Sequence, residues 1–303
     1  MMKDGWGSMF VLVLWWMMSL PAAASGAHGE AARACEAGEA ERCHTAGQAY
    51  EKGLNGAPKD PFRAVQLFRM GCRGEHKESC LSLAILLEEG VGDEVDPGEV
   101  QEAYKGACQA GSGMACRRVG EAYVLSAANP RDAQLWYGLG CELQDASSCT
   151  AAALAHERGD AGKGPDFDRA RRYYLAACRF GSGRGCTLLG YRYSRGLEGL
   201  KRDDAGARLL FTKACEASDP EGCRYLAQFQ EQGRGAEEPD SASARHSYDR
   251  GCRAGDAVSC REVATALFAE GDYRGAMLAG KRGCELGDAK GCKLQARAEA
   301  KRP

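Results

Sequence analysis

The chain has 303 residues, with 40 Lys and Arg against 42 Asp and Glu and a formal net charge of −2. That balance excludes a protein built to coat nucleic acid. A charged fraction of 27% beside 44% hydrophobic residues is ordinary for a folded soluble chain, and a single apolar run excludes a polytopic membrane protein, while 16 Cys and 40 Gly are both in excess for an ordinary domain.

The first predicted element is a leader over residues 1–24. Lys3 supplies a thin basic start, partly offset by Asp4, and Met9 to Leu20 (MFVLVLWWMMSL) is a run of apolar character. Pro21 and Ala22-Ala23-Ala24 then offer a small-residue cleavage site. The run is too short for a spanning helix of about 20 residues, so it reads as a secretory signal cut near Ala24, before Ser25, with His28 a second candidate. The alternative is an uncleaved anchor, the sole membrane attachment expected. No cysteine stands at the cleavage point, which argues against a lipoprotein, and the leader lacks the Arg-rich, acid-poor character of a mitochondrial transit peptide.

A cysteine ladder follows: Cys35/Cys43, Cys72/Cys80, Cys108/Cys116, Cys141/Cys149, Cys178/Cys186, Cys215/Cys223, Cys252/Cys260 and Cys284/Cys292. Every pair is 8 apart, and the first members recur at steps of 37, 36, 33, 37, 37, 37 and 32. Such a period marks a solenoid of small units. Residues eight apart in one helix are about 12 Å apart along its axis, beyond the roughly 7 Å limit of a disulfide. A bond within a pair therefore needs a turn between its members. Gly38, Gly111, Gly181, Gly255 and Gly287 provide one, three residues after the first cysteine. The next position is Ser112, Asp145, Ser182, Asp219, Asp256 or Asp288 in six pairs, all N-cap types. Eight local disulfides are expected, each joining the last turn of one helix to the first turn of the next. A zinc reading is weaker, because no CxxC and no repeated histidine occurs. Export and cysteine usage agree on an oxidising compartment.

Each second cysteine opens a helix A whose offsets 0, 3, 4 and 7 share a face. Offset 4 is always small (Gly47, Ala84, Gly120, Ala153, Gly190, Ala227, Ala264, and Ala296 in the terminal piece), and Tyr50, Leu87, Tyr123, Tyr193 and Leu267 are bulky at offset 7. Helix A stops at Gly53, Gly90, Gly159, Gly196 or Gly233, with Ser126 standing in repeat three. After a variable loop, helix B begins at an N-cap twelve residues before the next cysteine: Asp60, Asp96, Asn129, Asp166, Asp203, Asp240 or Asp272. Pro61, Pro97 and Pro130 occupy the next position. Phe68, Tyr104, Tyr137, Tyr174, Phe211 and Tyr248 stand four before the cysteine, and Gly280 breaks that aromatic row. The expected architecture is an all-α solenoid (superhelix) of about seven helix-pair repeats over 25–297. It carries an N-terminal half-repeat at about 28–38, a capping helix at about 288–299 and a flexible tail over 298–303.

These residues resemble the Sel-one-like repeat, a tetratricopeptide-type α/α unit. Segments such as ACEASDPEGC (214–223) and GCELGDAKGC (283–292) are similar to the cysteine-paired variant, the Helicobacter cysteine-rich or Hcp-type β-lactamase-like family. The resemblance covers about Ala34 to Lys293. It implies the fold and the disulfide pairing, and for activity it implies a binding scaffold, with β-lactam binding or weak β-lactam hydrolysis as the alternative.

No motif supplies catalysis. S-x-x-K, S-D-N and K-T-G are absent, and Ser218-Asp219 precedes Pro220 in a cysteine turn. His44, His156 and His246 are isolated, and no P-loop pattern occurs. No catalytic, cofactor or metal residue is assigned. By analogy with tetratricopeptide units, a concave groove is expected on helix A, one and five residues after each second cysteine. The candidate groove residues are Arg117, Glu121, Tyr191, Arg224, Gln228 and Arg261, with His44, Gln48, Thr150, Thr187, Thr265, Leu81, Ile85 and Leu154 in the same rows. The expected role is an exported, monomeric scaffold in the periplasm or outside the cell. It would grip a protein, peptide or cell-wall fragment and no nucleic acid. The competing classes are a β-lactam-directed enzyme and a structural envelope factor without a fixed ligand.

Overall fold

The computed structural model describes residues 27–92, 95–126, 130–160, 162, 164–236 and 238–301. The expected leader, the Asn129 cap and residues 302–303 of the tail lie outside the described residues. The described residues form sixteen α-helices and no strand. The chain divides between Ala110 and Gly111 into two compact units.

The first unit holds α1 (Ala27–Glu36), α2 (Ala40–Lys52), α3 (Pro61–Arg73), α4 (Lys77–Glu88) and α5 (Pro97–Gln109). The second holds α6 (Gly113–Leu125), α7 (Pro130–Glu142), α8 (Ala146–Arg158), α9 (Phe167–Arg179), α10 (Gly183–Arg195) and α11 (Asp204–Glu216). It continues through α12 (Pro220–Glu231), α13 (Ser241–Ala254), α14 (Ala257–Ala269), α15 (Tyr273–Glu285) and α16 (Ala289–Lys301). Even-numbered helices are of type A and odd-numbered ones of type B. Each A helix from α2 to α14 packs mainly on the B helix that follows it, and α16 packs on α15 before it, so every unit is a stack of helix hairpins. The last helix runs to Lys301, with Ala298 fully buried, so residues 298–301 are packed helix where a flexible tail was expected.

Side-chain caps set the helix starts. Asp60, Asp96, Asp166, Asp203, Asp240 and Asp272 each accept a backbone N–H of the first turn of a B helix. At the A helices Ser112, Asp145, Ser182, Asp219, Asp256 and Asp288 do the same. His76 also caps, its Nδ1 accepting the Ser79 N–H, whereas Glu39 makes no side-chain cap.

The turn within each cysteine pair puts its third residue in the left-handed region in all eight repeats. Five are glycines at φ 95–102°, and Glu75, Gln144 and Ser218 take φ 58–63°. This turn reverses the chain tightly enough to close the staple. In the first unit Cys35 is bonded to Cys43 and Cys72 to Cys80. In the second unit the bonds are Cys141–Cys149, Cys178–Cys186, Cys215–Cys223, Cys252–Cys260 and Cys284–Cys292. These seven span 4.3–4.6 Å between Cα atoms, well inside disulfide reach. Cys108 and Cys116 are also disulfide-bonded, and no cysteine is free. Cys80, Cys149, Cys186 and Cys260, each in the first turn of an A helix, are buried in the core. The cysteines singled out from the sequence are therefore internal staples, and they present no thiol to a ligand.

Between helices A and B, the small residue at offset 4 receives the ring of the aromatic row. A Cβ at Gly120 would stand 2.5 Å from the Tyr137 ring. The rings of Phe68, Tyr174 and Phe211 are fully buried, and Tyr104, Tyr137 and Tyr248 nearly so. Burying such rings stabilises each hairpin by roughly 1.5–3 kcal/mol apiece. Tyr104, Tyr174 and Tyr248 sit opposite an alanine and donate to Glu88, Glu157 and Glu231, the residue eight after the A-helix cysteine. At Gly280, where the aromatic row breaks, a Cβ would stand 3.0 Å from the backbone N of Gln295, so the terminal hairpin closes backbone to backbone.

Candidate functional site

The row one residue after the second cysteine is a ladder of contacts between repeats. Thr187 Oγ1 donates to Asp219 at 2.7 Å, and Thr150 and Ser182 hydroxyls lie 2.9 Å apart. Arg224 donates to Asp256 at 3.2 Å, Arg261 donates to Asp288 at 2.8 Å, and Arg117 pairs with Asp145 at 3.8 Å. In the first unit the same register brings His44 and His76 rings to 5.4 Å. Each partner is the N-cap of the next A helix. One side chain therefore caps its own helix and receives the preceding repeat. The ladder follows from the staple, which fixes that cap beside the previous helix.

These contacts determine what the arginines can offer. Arg224 also meets Glu221 at 2.8 Å and covers the Tyr225 ring at 4.6 Å, and Arg261 meets Glu262 at 2.6 Å. All three candidate arginines are thus engaged within the fold and only partly exposed.

The row five residues after the cysteine is less occupied. Glu121 pairs with Arg117 and Arg118. Tyr191 lies 5.8 Å from Tyr225 and is covered by Arg195 at 5.5 Å. Gln228 is half-buried on the same row. In the second unit Arg117, Glu121, Thr150, Leu154, Ser182 and Arg184 line a cleft of about 240 Å³ along α6, α8 and α10. The first four of these lie in the two rows read from the sequence. Arg184 and Tyr225 were missed. Arg184 precedes its cysteine by two residues and so falls outside the rows counted forward from it. Tyr225 sits two residues after Cys223, a register where no other repeat has an aromatic.

Titratable groups are tuned by packing. Burial, then the neighbouring His76, lowers the His44 pKa, and the His44 Nδ1 is buried without a hydrogen-bond partner. Burial likewise lowers that of His156. Tyr174 and Tyr248 are pushed above the ordinary phenol range by burial and by their glutamate partners. Arg202 and Arg234 hold the Asp204 carboxyl well below the usual range. Arg192, at 7% exposure, is enclosed by Glu157, Glu198 and the Leu188 carbonyl and lies over Tyr174. The described residues contain no group of three or more His, Cys, Asp or Glu able to hold a metal ion.

A model of the Sel1 repeat matches residues 44–76, 146–181, 183–219 and 220–256. No curated protein matches the chain. Among solved structures, a protective antigen present in uropathogenic Escherichia coli strains, displaying an SLR fold, is 24% identical with a TM-score of 0.75. The match covers 89% of this chain and 58% of that one, so this chain spans little more than half of the antigen's length. A Sel1 repeat protein from Oxalobacter formigenes is 21% identical with a TM-score of 0.58, covering 70% of this chain and 84% of the other. Cysteine rich protein B of Helicobacter pylori is 27% identical with a TM-score of 0.36, over 43% and 92% of the two chains.

Proposed function

We propose that this Sel1-repeat chain is an exported scaffold that holds a protein or peptide partner along its A helices. Sel1-repeat proteins in general bind protein partners and are scaffolds rather than catalysts. The disulfides point to an oxidising, exported environment, and no helix among the described residues is long and apolar enough to cross a membrane. The observation that carries the reading is the cleft beside Thr150 and Leu154, where two rows expected from the repeat pattern border one hollow. The aromatic pair Tyr191 and Tyr225, with arginines over both rings, has the chemistry of an interface anchor.

Arg117, Arg224 and Arg261 are poor probes of binding, because truncating them also breaks contacts between repeats. The better test places a photo-crosslinking amino acid at Leu154 and at Tyr191, with a control at the exposed Leu209, in the native envelope. The expected result is one protein adduct at the first two positions, absent at Leu209 and lost on Arg184→Glu. Adducts that are absent, or equal at all three positions, would sink the reading. Turnover of a chromogenic cephalosporin that disappears on reduction would replace it with the hydrolase alternative.

A further inference from the structure

The repeat pattern has two exceptions that meet in space. Three residues before the first cysteine the B helices carry Ala32, Arg69, Lys105, Leu175, Thr212, Asp249 and Lys281, but α7 carries Gly138. Seven residues after the second cysteine the A helices carry Tyr50, Leu87, Tyr123, Tyr193, Gln230, Leu267 and Glu299, but α8 carries His156. Both exceptions line a cleft of about 580 Å³ in the second unit. The His156 ring stacks on Tyr173 of α9 at 5.3 Å and 12° between planes. A Cβ at Gly138 would stand 3.3 Å from the Tyr173 hydroxyl, with nothing else within 4 Å, so the missing side chain leaves the hollow open.

The walls are of two kinds. Leu135 of α7 is 72% exposed and Leu139 37%, an apolar wall left largely to solvent. Arg131 lies one turn before Leu135 on α7, Arg169 stands on α9, and Arg172 lines a second hollow of about 330 Å³ that shares His156, Arg169 and Tyr173. The Arg169 side chain is 62% exposed and meets Asp166 through its Nε at 3.3 Å. Among the described residues lining the two hollows, three arginines stand with one carboxylate, Glu142, while Arg169 also meets Asp166, Arg172 donates to the Asp168 carbonyl and Arg131 is engaged within the fold.

We propose that this B-helix cleft is a docking site for an acidic peptide. An aliphatic side chain would lie against Leu135, Leu139 and Tyr173, and a neighbouring carboxylate would lie against the Arg169 guanidinium, which is 62% exposed. Charge complementarity selects the occupant. Two adjoining hollows along α9, reaching from Arg169 to Arg172, suit an extended segment better than a compact small molecule. The site shares no lining residue with the cleft beside Thr150 and Leu154, and it stands or falls without it.

The test is fluorescence anisotropy with the oxidised, full-length chain and the fluorescein-labelled peptide DELDELDE, against the charge-reversed KRLKRLKR. The expected result is saturable binding of the acidic peptide only, weakened about tenfold by Arg169→Gln and by Gly138→Leu. Leucine at this register is already present as Leu175, so G138L fills the hollow with a side chain the repeat accommodates. Arg253→Gln, which removes an equal charge from the 77% exposed Arg253 of α13, should leave binding unchanged. Absent binding, equal binding of the basic peptide, or binding indifferent to both cleft variants would overturn the proposal. If G138L fails to fold, R169Q against R253Q carries the test alone.

Discussion

The turn within each cysteine pair is decided by single residues. Glycine occupies the left-handed position in five repeats, and Glu75, Gln144 and Ser218 adopt the same conformation at a cost of roughly 1–2 kcal/mol each. They persist because the disulfide and the two flanking helices leave no other path. His44 is a second residue whose position governs its chemistry. Burial and His76 lower its pKa, so between that lowered value and about 6.5 the unfolded chain binds more protons than the folded one. The stability tied to neutral His44 is complete above that range and is lost as the pH falls through it. Urea unfolding should therefore show a lower midpoint at about pH 5.5 than at about pH 7.5, and His44→Gln should reduce that difference, leaving the part that buried His156 contributes. An unchanged slope in the variant would remove His44 as its source.

The unit of construction is the A helix with the cap of the next one. Asp219 accepts the Gly222 N–H and the Thr187 hydroxyl at once, so it ends one repeat's packing and begins another. Thr187 is 3% exposed, and Thr187→Val keeps its shape while removing the donor. That change should lower stability by about 1–2 kcal/mol in denaturant titrations, and Thr187→Ser should restore most of it. Equal stability of the valine variant would mean that Asp219 is fully served by its own helix. Among the described residues the side-chain caps were legible from residue type alone, except His76, whose Nδ1 does the work of an aspartate oxygen. The second role of each cap was not legible, because residues some 30 apart in sequence carry no local mark of their meeting.

For the whole molecule, the disulfides supply a large share of the order. Each closes a loop of about nine residues, worth roughly 2.5 kcal/mol by the chain-entropy model. Eight such loops together exceed the roughly 5–15 kcal/mol by which a folded chain is usually stable. The reduced and alkylated chain should therefore lose its cooperative thermal transition and most of its helical circular dichroism at about 25 °C. A reduced sample that melts cooperatively would show that the hairpin cores suffice.

The sequence alone determined the helix hairpins, their caps, the aromatic rows and the cysteine pairing, because each depends on residues within one period of the ladder. Of the candidate site, it determined which A-helix registers face the same way, and Arg117, Glu121, Thr150 and Leu154 around the cleft follow from that. Only the tertiary structure decided that Arg224 and Arg261 are held by the caps of the next repeat, that Arg184 borders the cleft, and that Gly138 and His156 open a hollow on the B helices. The physical reason is that register places a side chain on a face, while its freedom depends on which charges and rings the neighbouring repeat brings within reach.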